Sequence, residues 1–412
     1  MRQSKLFGST SKNKQADATS VNHDLLTRGG YIDQLMAGVY SYLPLGWEVL
    51  HNISDIVRDE MNAVGGQEIL LPALHPKENW EQTKRWDSMD VLFKLESQTG
   101  TSYALGPTHE EVIVPLAKKF IRSYRDLPGA WYQIQVKFRD ELRAKAGLLR
   151  GREFLMKDLY SFHATPDDLK TYYAQVREAY LKIFKRCGLD ALVAEASGGS
   201  FTKDFSHEFQ VATPNGEDII FTCSKCDFAQ NKEVAQNKEG DSCPSCAQGS
   251  ITSQKTIEVG NIFDLGTKFS KDFELQYSDE NGSRQDVIIG CYGIGISRIM
   301  GAIVEVHNDE RGIIWPDEVA PYRVHLLTFS DDAAVLAQSA SLYQSLLDAG
   351  VSVLWDERTD ASNGEKLADA DLMGIPHRMI ISPKTNGGVE YKKRSEEQTQ
   401  NITNKEALSF IQ

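Results

Sequence analysis

No stretch of this 412-residue chain approaches the roughly 20 consecutive apolar residues of a bilayer-crossing helix, so a membrane-spanning role is not expected. Cysteine is scarce: there are six, four of them in two CxxC pairs, a pattern that argues against a disulfide framework. Positive charge is short as well, with 45 Lys and Arg against 58 Asp and Glu and a formal net charge of -13. That balance excludes a generally basic coat but not local basic surface, and RNA affinity depends on the local surface. Residues 1–16 are polar and basic and lack the apolar centre of a secretion signal, which makes the cytoplasm the expected location. What remains is ordinary globular composition, 41% hydrophobic and 25% charged, long enough for two or three domains with ample core.

The most informative segment is Phe138-Arg139-Asp140-Glu141, a basic glycine-bearing loop, then Arg150-Gly151-Arg152-Glu153-Phe154. The runs 131–138 and 154–163 predict two antiparallel strands, with Arg143, Lys145 and Arg150 on the loop between them. Arginine suits a phosphate site because its planar fork donates paired hydrogen bonds and stays charged. Phe154, with Arg298 from far downstream, could sandwich a flat base. A solvated surface hairpin would use the same residues, and the hairpin alone does not separate the two readings. Its order resembles the second signature motif of the class II aminoacyl-tRNA synthetases.

Two further segments decide between them. Gly290-Cys291-Tyr292-Gly293-Ile294-Gly295-Ile296-Ser297-Arg298 follows the β-like run 286–289 and leads into a helix. Alternating glycines allow close approach to a ligand, and an arginine in the first helical turn faces a bound anion. The spacing is not that of a dinucleotide fold, and it resembles the third class II motif. Gly106-Pro107-Thr108-His109-Glu110-Glu111 puts Thr108 and Glu110 on a turn or the first turn of a helix, where they could accept from a substrate amine. Helix capping is the other use of such residues.

Taken together, these segments resemble the prolyl-tRNA synthetases of bacterial or mitochondrial type. The likeness extends through residues 38–46, Glu68 to Pro72, Arg152 to His163, Ser206-His207-Glu208-Phe209 and Glu258 to Phe263, nearly the whole chain. The resemblance implies a mixed α/β (α+β) fold: a class II catalytic domain on an antiparallel sheet and a C-terminal α/β anticodon-binding domain. It also implies ATP-dependent activation of L-proline to prolyl-adenylate, transfer to tRNA(Pro), Mg²⁺ with the ATP, and a homodimer. By the same resemblance Arg139 contacts the α-phosphate and the proline carboxylate, Glu141 the adenine amino group, and Arg150 and Arg298 the γ-phosphate end. Phe154 stacks on adenine, and Gly293 and Gly295 border the nucleotide. Thr108 and Glu110 recognise the imino group, while His163, Ser206, His207 and Phe209 surround the proline ring. A threonyl or glycyl synthetase is the nearest enzymatic alternative. A non-catalytic paralogue is another, although it would have no need of Arg139, Arg150 and Arg298.

The expected domains are 1–215, the first part of the catalytic domain, then 216–255, a short insert, 256–318, the rest of the catalytic domain, and 319–412 for the anticodon. Helical periodicity over 46–64 and a β-like stretch 68–74 with Pro72 resemble the first class II motif, which implies the dimer interface. A helix is expected over 167–188, and beyond residue 321 strands and helices alternate as in a small α/β domain. Candidate basic contacts for RNA are 143–152, 118–125 and 392–394.

Cys223-x-x-Cys226 and Cys243-x-x-Cys246 have zinc-ribbon spacing, and four thiolates would close a structural Zn²⁺ site. An unmetallated remnant is the alternative. The commonest bacterial pattern carries a large editing domain between the positions of Phe209 and Glu258, where this chain has room only for the cysteine segment. Hydrolysis of alanyl-tRNA(Pro) by this chain is therefore not expected.

Overall fold

The computed structural model describes residues 1–14, 18, 20–199 and 205–411. They form two compact units: Ala37–Val39 with Ser54–Ala302, and Met1–Met36 with Tyr40–Ile53 and Ile303–Gln412. No helix among the described residues is long and apolar enough to cross a membrane.

The larger unit is built on a nine-stranded sheet. Its order is Phe205–Ala212, Ala191–Ser197, Ala229–Asn231, Asp218–Cys223, Ile251–Gly266, Ile288–Gly295, Glu153–His163, Gly129–Phe138 and Gln67–Glu68. The pairing is antiparallel except where Ala229–Asn231 meets Ala191–Ser197 and where Gln67–Glu68 meets Gly129–Phe138. The expected hairpin is present in full register, from Gly129 opposite Phe162 to Phe138 opposite Glu153. The strand expected over 286–289 begins at Ile288 and runs on through the glycines to Gly295. Glycine disfavours strands by propensity, but here ladders on both sides hold the backbone, and packing demands the absence of a side chain. A Cβ on Gly290 would lie 2.3 Å from the Tyr292 hydroxyl.

One face of this sheet is covered by the helix Pro166–Arg186, which starts where Thr165 Oγ1 accepts from the Asp168 N–H at 3.2 Å with Pro166 in the first turn. It buries Val176, Tyr180, Ile183 and Phe184. Against the other face lie Glu110–Ala117 and Lys268–Phe273, whose Ile113, Val114 and Phe269 join Tyr160, Phe162 and Ile289 in a core. The cysteine segment is no separate body: its flanking strands Asp218–Cys223 and Ile251–Gly266 pair directly within the main sheet.

The smaller unit contains a five-stranded sheet in the order Val353–Asp356, Val324–Thr328, His377–Ile381, Val389–Lys393 and Gln400–Ile402. The first three are parallel and were expected; the last two add antiparallel. The units divide the chain differently from the expected boundaries, because the first residues pack with this sheet. The Met1 ammonium donates to Val353 O at 2.8 Å, and His325 Nε2 is hydrogen-bonded to Gln3 Oε1 at 2.8 Å. The basic run 392–394 is also mostly interior. Lys392 and Arg394 are buried, and Arg394 pairs with both oxygens of Asp309 at 2.8 and 2.7 Å.

Candidate functional site

Where the first hairpin strand ends, the Arg139 N–H donates to Arg152 O at 2.8 Å and its guanidinium lies 5.1 Å from the centre of the Phe154 ring. It is thus Arg139 that covers Phe154. Arg298, in the first turn of Ile296–Val306, donates from Nε to Leu149 O at 3.0 Å and from Nη1 to Glu258 Oε2 at 2.8 Å. Burial and the neighbouring Arg298 charge both pull the Arg139 guanidinium below its ordinary pKa. An anion between the two arginines would relieve that repulsion. Arg150, with 47% of its side chain exposed, pairs with Glu141 at 3.2 Å and Glu217 at 3.6 Å. Exposed pairs of this kind contribute under about 1 kcal/mol, so Arg150 can exchange them for a phosphate.

Beside the arginines stands a fully buried carboxylate. Glu110 Oε2 accepts from Thr108 Oγ1 at 2.6 Å, Oε1 from Cys291 Sγ at 3.2 Å, and Arg85 Nη1 lies 3.5 Å away. Arg85 makes its closer pair with Glu111 at 2.9 Å, whose carboxyl burial pushes up to about 7. The Thr108 hydroxyl therefore caps a side chain and not a helix terminus, and Glu110 is held as an acceptor beside a cavity. Next to it Asp158 pairs with Lys137 at 2.7 Å and accepts from the Tyr160 hydroxyl at 3.0 Å.

Two adjoining cavities of about 190 and 220 Å³ share Arg139, Glu258 and Arg298. The first is polar and is also lined by Glu141, Arg150, Glu217 and Asp218. The second reaches Thr108, Met156, Asp158, Phe263, Cys291 and the glycines 293 and 295. A Cβ on Gly293 would meet nothing nearer than Asn261 O at 4.0 Å, so that glycine opens onto the space, whereas one on Gly295 would press on Arg298 Cβ at 3.0 Å. The cavities thus join a cationic end, at Arg139, Arg150 and Arg298, to an end bordered by Thr108 and Asp158.

The four residues expected around the ring do not line these two cavities. Phe209 is wholly buried, its ring 5.0 and 5.4 Å from Tyr180 and Phe184 of the covering helix. His207 is hydrogen-bonded to the Tyr173 hydroxyl at 2.7 Å. His163 bridges Asp168 at 2.7 Å and Ser161 Oγ at 2.8 Å, and Ser206 Oγ donates to Ser197 O at 3.0 Å. The reason is strand alternation: His163, His207 and Phe209 point to the face under Pro166–Arg186, and their neighbours take the other face. Gln133, Asp158, Gly293 and Asn261 are successive partners in one row across the sheet. Glu208, flanked by His207 and Phe209, turns toward that row, with Asn261 Nδ2 at 3.5 Å, and its carboxyl is raised by burial to about 7. Sequence reading missed Met156, Asp158, Glu258 and Phe263. Counting in steps of two from the partners of Gly293 would have found Met156, Asp158 and Phe263 had the register been known, whereas Glu258 lies three residues from Asn261, where the pairing with Phe205–Ala212 shifts register.

The Sγ atoms of Cys223, Cys226, Cys243 and Cys246 all lie within 4.8 Å of one another, with 3.7 Å between Cys223 and Cys246 and between Cys226 and Cys243. A tetrahedral Zn–thiolate site with bonds of about 2.3 Å has sulfur–sulfur edges of about 3.8 Å. Backbone N–H groups of Gln248 and Gly249 pull the Cys246 thiol down to about 6, and a Cβ on Gly249 would lie 2.3 Å from Cys223 Sγ. The donor set and spacing fit a closed structural zinc site.

Comparison with known proteins gives two family matches: the tRNA synthetase class II core domain (G, H, P, S and T) over residues 93–307, and an anticodon binding domain over 323–412. The chain is 35% identical to the proline–tRNA ligase of Sulfurihydrogenibium sp. over 543 aligned positions, covering 96% of each chain. It is 33% identical to that of Persephonella marina over 562 positions, covering 100% of each. Both alignments are longer than the 412 residues present, so these relatives carry segments that this chain lacks. Among solved structures, the Giardia lamblia prolyl-tRNA synthetase in complex with prolyl-adenylate matches at a TM-score of 0.79 and 20% identity, over 98% of this chain and 78% of that one.

Proposed function

Since the chain belongs to the prolyl-tRNA synthetase family of class II and is a proline–tRNA ligase, we propose how its two cavities divide the reaction. Proline enters the cavity beside Glu110, its secondary ammonium meeting the Glu110 carboxylate and the Thr108 hydroxyl. ATP lies across the polar cavity, with adenine on Phe154 and Glu141 and the phosphates between Arg139, Arg150 and Arg298. The proline carboxylate attacks the α-phosphorus, the bond to the β-phosphate oxygen breaks, and pyrophosphate leaves with the displaced electron pair. The adenylate then acylates the terminal ribose of tRNA(Pro), whose anticodon is read by the domain after residue 319. No covalent enzyme intermediate is required, so the residues act by positioning and charge stabilisation. The observation that carries this reading is the sharing of Arg139 and Arg298 by a polar cavity and by a second cavity lined by Thr108 and Cys291, the two residues that hydrogen-bond the buried Glu110 carboxylate.

Asp218 and Glu258 are the residues that would hold Mg²⁺: burial and Glu258 push the Asp218 carboxyl up, a strain that a cation relieves. When bound, the ion supplies neutralisation of phosphate charge. The homodimer is supported by an apolar groove lined by Ile69, Leu116, Phe120 and Trp131, with Leu70 and Phe120 left 74% and 68% exposed next to the Pro72 segment. Sedimentation at the mass of a single chain would rule it out.

ATP–pyrophosphate exchange with proline, alanine and cysteine in parallel tests reaction and specificity together. Exchange driven by proline is expected; with threonine and glycine added as further arms, exchange driven only by one of these would sink the assignment. The close pairing of Asp218–Cys223 with Ile251–Gly266, which leaves only the cysteine segment between these strands, supports the absence of cis-editing. Alanine is then expected to be mischarged, because a missing methylene is worth only about 1 to 3 kcal/mol and binding alone discriminates poorly against it. Release of alanine from alanyl-tRNA(Pro) by the purified chain would contradict it. Metal analysis is expected to give one zinc per chain, with Cys243→Ser losing the metal and lowering the melting temperature. A metal-free protein of unchanged stability would assign the four cysteines to packing alone.

A further inference from the structure

We propose that Arg152, which has none of the ATP or proline roles above, is a positioning residue for ATP that holds the Arg139–Glu141 end of the hairpin in register. The inference rests on the reading of that hairpin as an ATP clamp. Three stretches of the larger unit meet at Arg152: Ala37–Val39, the hairpin loop at Ala144, and the returning strand. Gly38 sits at φ +76°, and a Cβ there would lie 2.5 Å from Ala144 Cβ and 2.9 Å from the Arg152 N atom, so the crossing admits only glycine. Gly38 O accepts from the N–H groups of Arg152 at 2.8 Å and Glu153 at 3.3 Å.

From this anchor the Arg152 guanidinium spans two carbonyls, donating from Nη1 to Ala37 O and from Nε to Glu141 O, both at 3.1 Å. Its own carbonyl accepts from the Arg139 N–H at 2.8 Å, and the Glu141 N–H turns back to Arg139 O at 2.7 Å. A single residue therefore ties the expected α-phosphate and adenine contacts to a fixed third segment. The next residue, Leu142, is 95% exposed, so the chain leaves the body of the protein at this point. The ion pair between Glu141 and Arg150 is one that Arg150 gives up on turning to phosphate, whereas the Arg152 bridge persists through the reaction. Lysine cannot replace it, because a point donor does not reproduce a planar fork reaching two acceptors.

The test is ATP–pyrophosphate exchange by full-length wild type, Arg152→Lys and Arg152→Ala, with ATP and proline varied separately. Losing two hydrogen bonds that order the ATP contacts is expected to raise the KM for ATP about tenfold in Arg152→Lys. The KM for proline should rise by less, since of the two tied residues only Arg139 also borders the second cavity, the melting temperature should stay near wild type, and millimolar methylguanidinium should restore part of the ATP affinity of Arg152→Ala. An unchanged KM for ATP, or equal losses for both substrates, overturns the proposal. So does a fall in melting temperature with the KM for ATP intact. Wild-type exchange is the separate readout of the clamp itself: its absence would defeat the underlying reading, whatever the variants do.

Discussion

Arg298→Ala is expected to lower proline-dependent pyrophosphate exchange by at least about a thousandfold, the scale on which a preorganised charge donor at a reacting phosphate acts. Arg298 borders both cavities and reaches them with a guanidinium already fixed by Glu258 and Leu149. Its electrostatic contact with Arg139 concentrates positive charge where the phosphates would lie. The fold should survive, because the Glu258 carboxylate released by the change is 30% exposed and can be solvated. Exchange and melting temperature measured on one preparation decide the matter. Activity within tenfold of wild type would remove Arg298 from the clamp.

Glu110→Gln is the second change with a large effect. The carboxylate is wholly buried, and its two oxygens are already oriented by Thr108 and Cys291. A neutral amide of the same shape keeps the packing and deletes the charge proposed to meet the substrate's secondary ammonium. A buried charged contact that loses one partner costs at least a few kcal/mol, so kcat/KM for proline should fall about a hundredfold or more. The loss should fall on the KM for proline, with the KM for ATP nearly unchanged. If kcat/KM for proline stays within threefold of wild type, Glu110 is a structural partner of Arg85 and nothing more.

The residues of the proposed phosphate clamp could be picked out because each lies in a short segment whose spacing carries its own chemistry. Arg139, Glu141, Arg150 and Phe154 share one hairpin, Arg298 opens the helix after the glycines, and the two CxxC pairs do converge to within 4.8 Å. The walls of the amine cavity were not legible in this way. Met156 and Asp158 lie on one strand and Phe263 on another, and they meet at one cavity only because the register brings those strands together across Ile288–Gly295. The basic run at 392–394 was misleading for a related reason. Charge is visible in a sequence, but the Asp309 that turns Arg394 inward comes from a distant segment.

By itself, then, the sequence determined the family and the reaction, and it singled out the side chains proposed to hold phosphate, an amine and zinc, since local spacing and residue chemistry suffice for these. Only the tertiary structure decided that His163, His207 and Phe209 face the helix Pro166–Arg186 while Asp158, Glu208 and Asn261 face the opposite side. A strand alternates with a period of two and its two faces are equivalent to any local rule. Which face meets the ligand depends on where a helix docks, and that contact joins residues far apart in the chain.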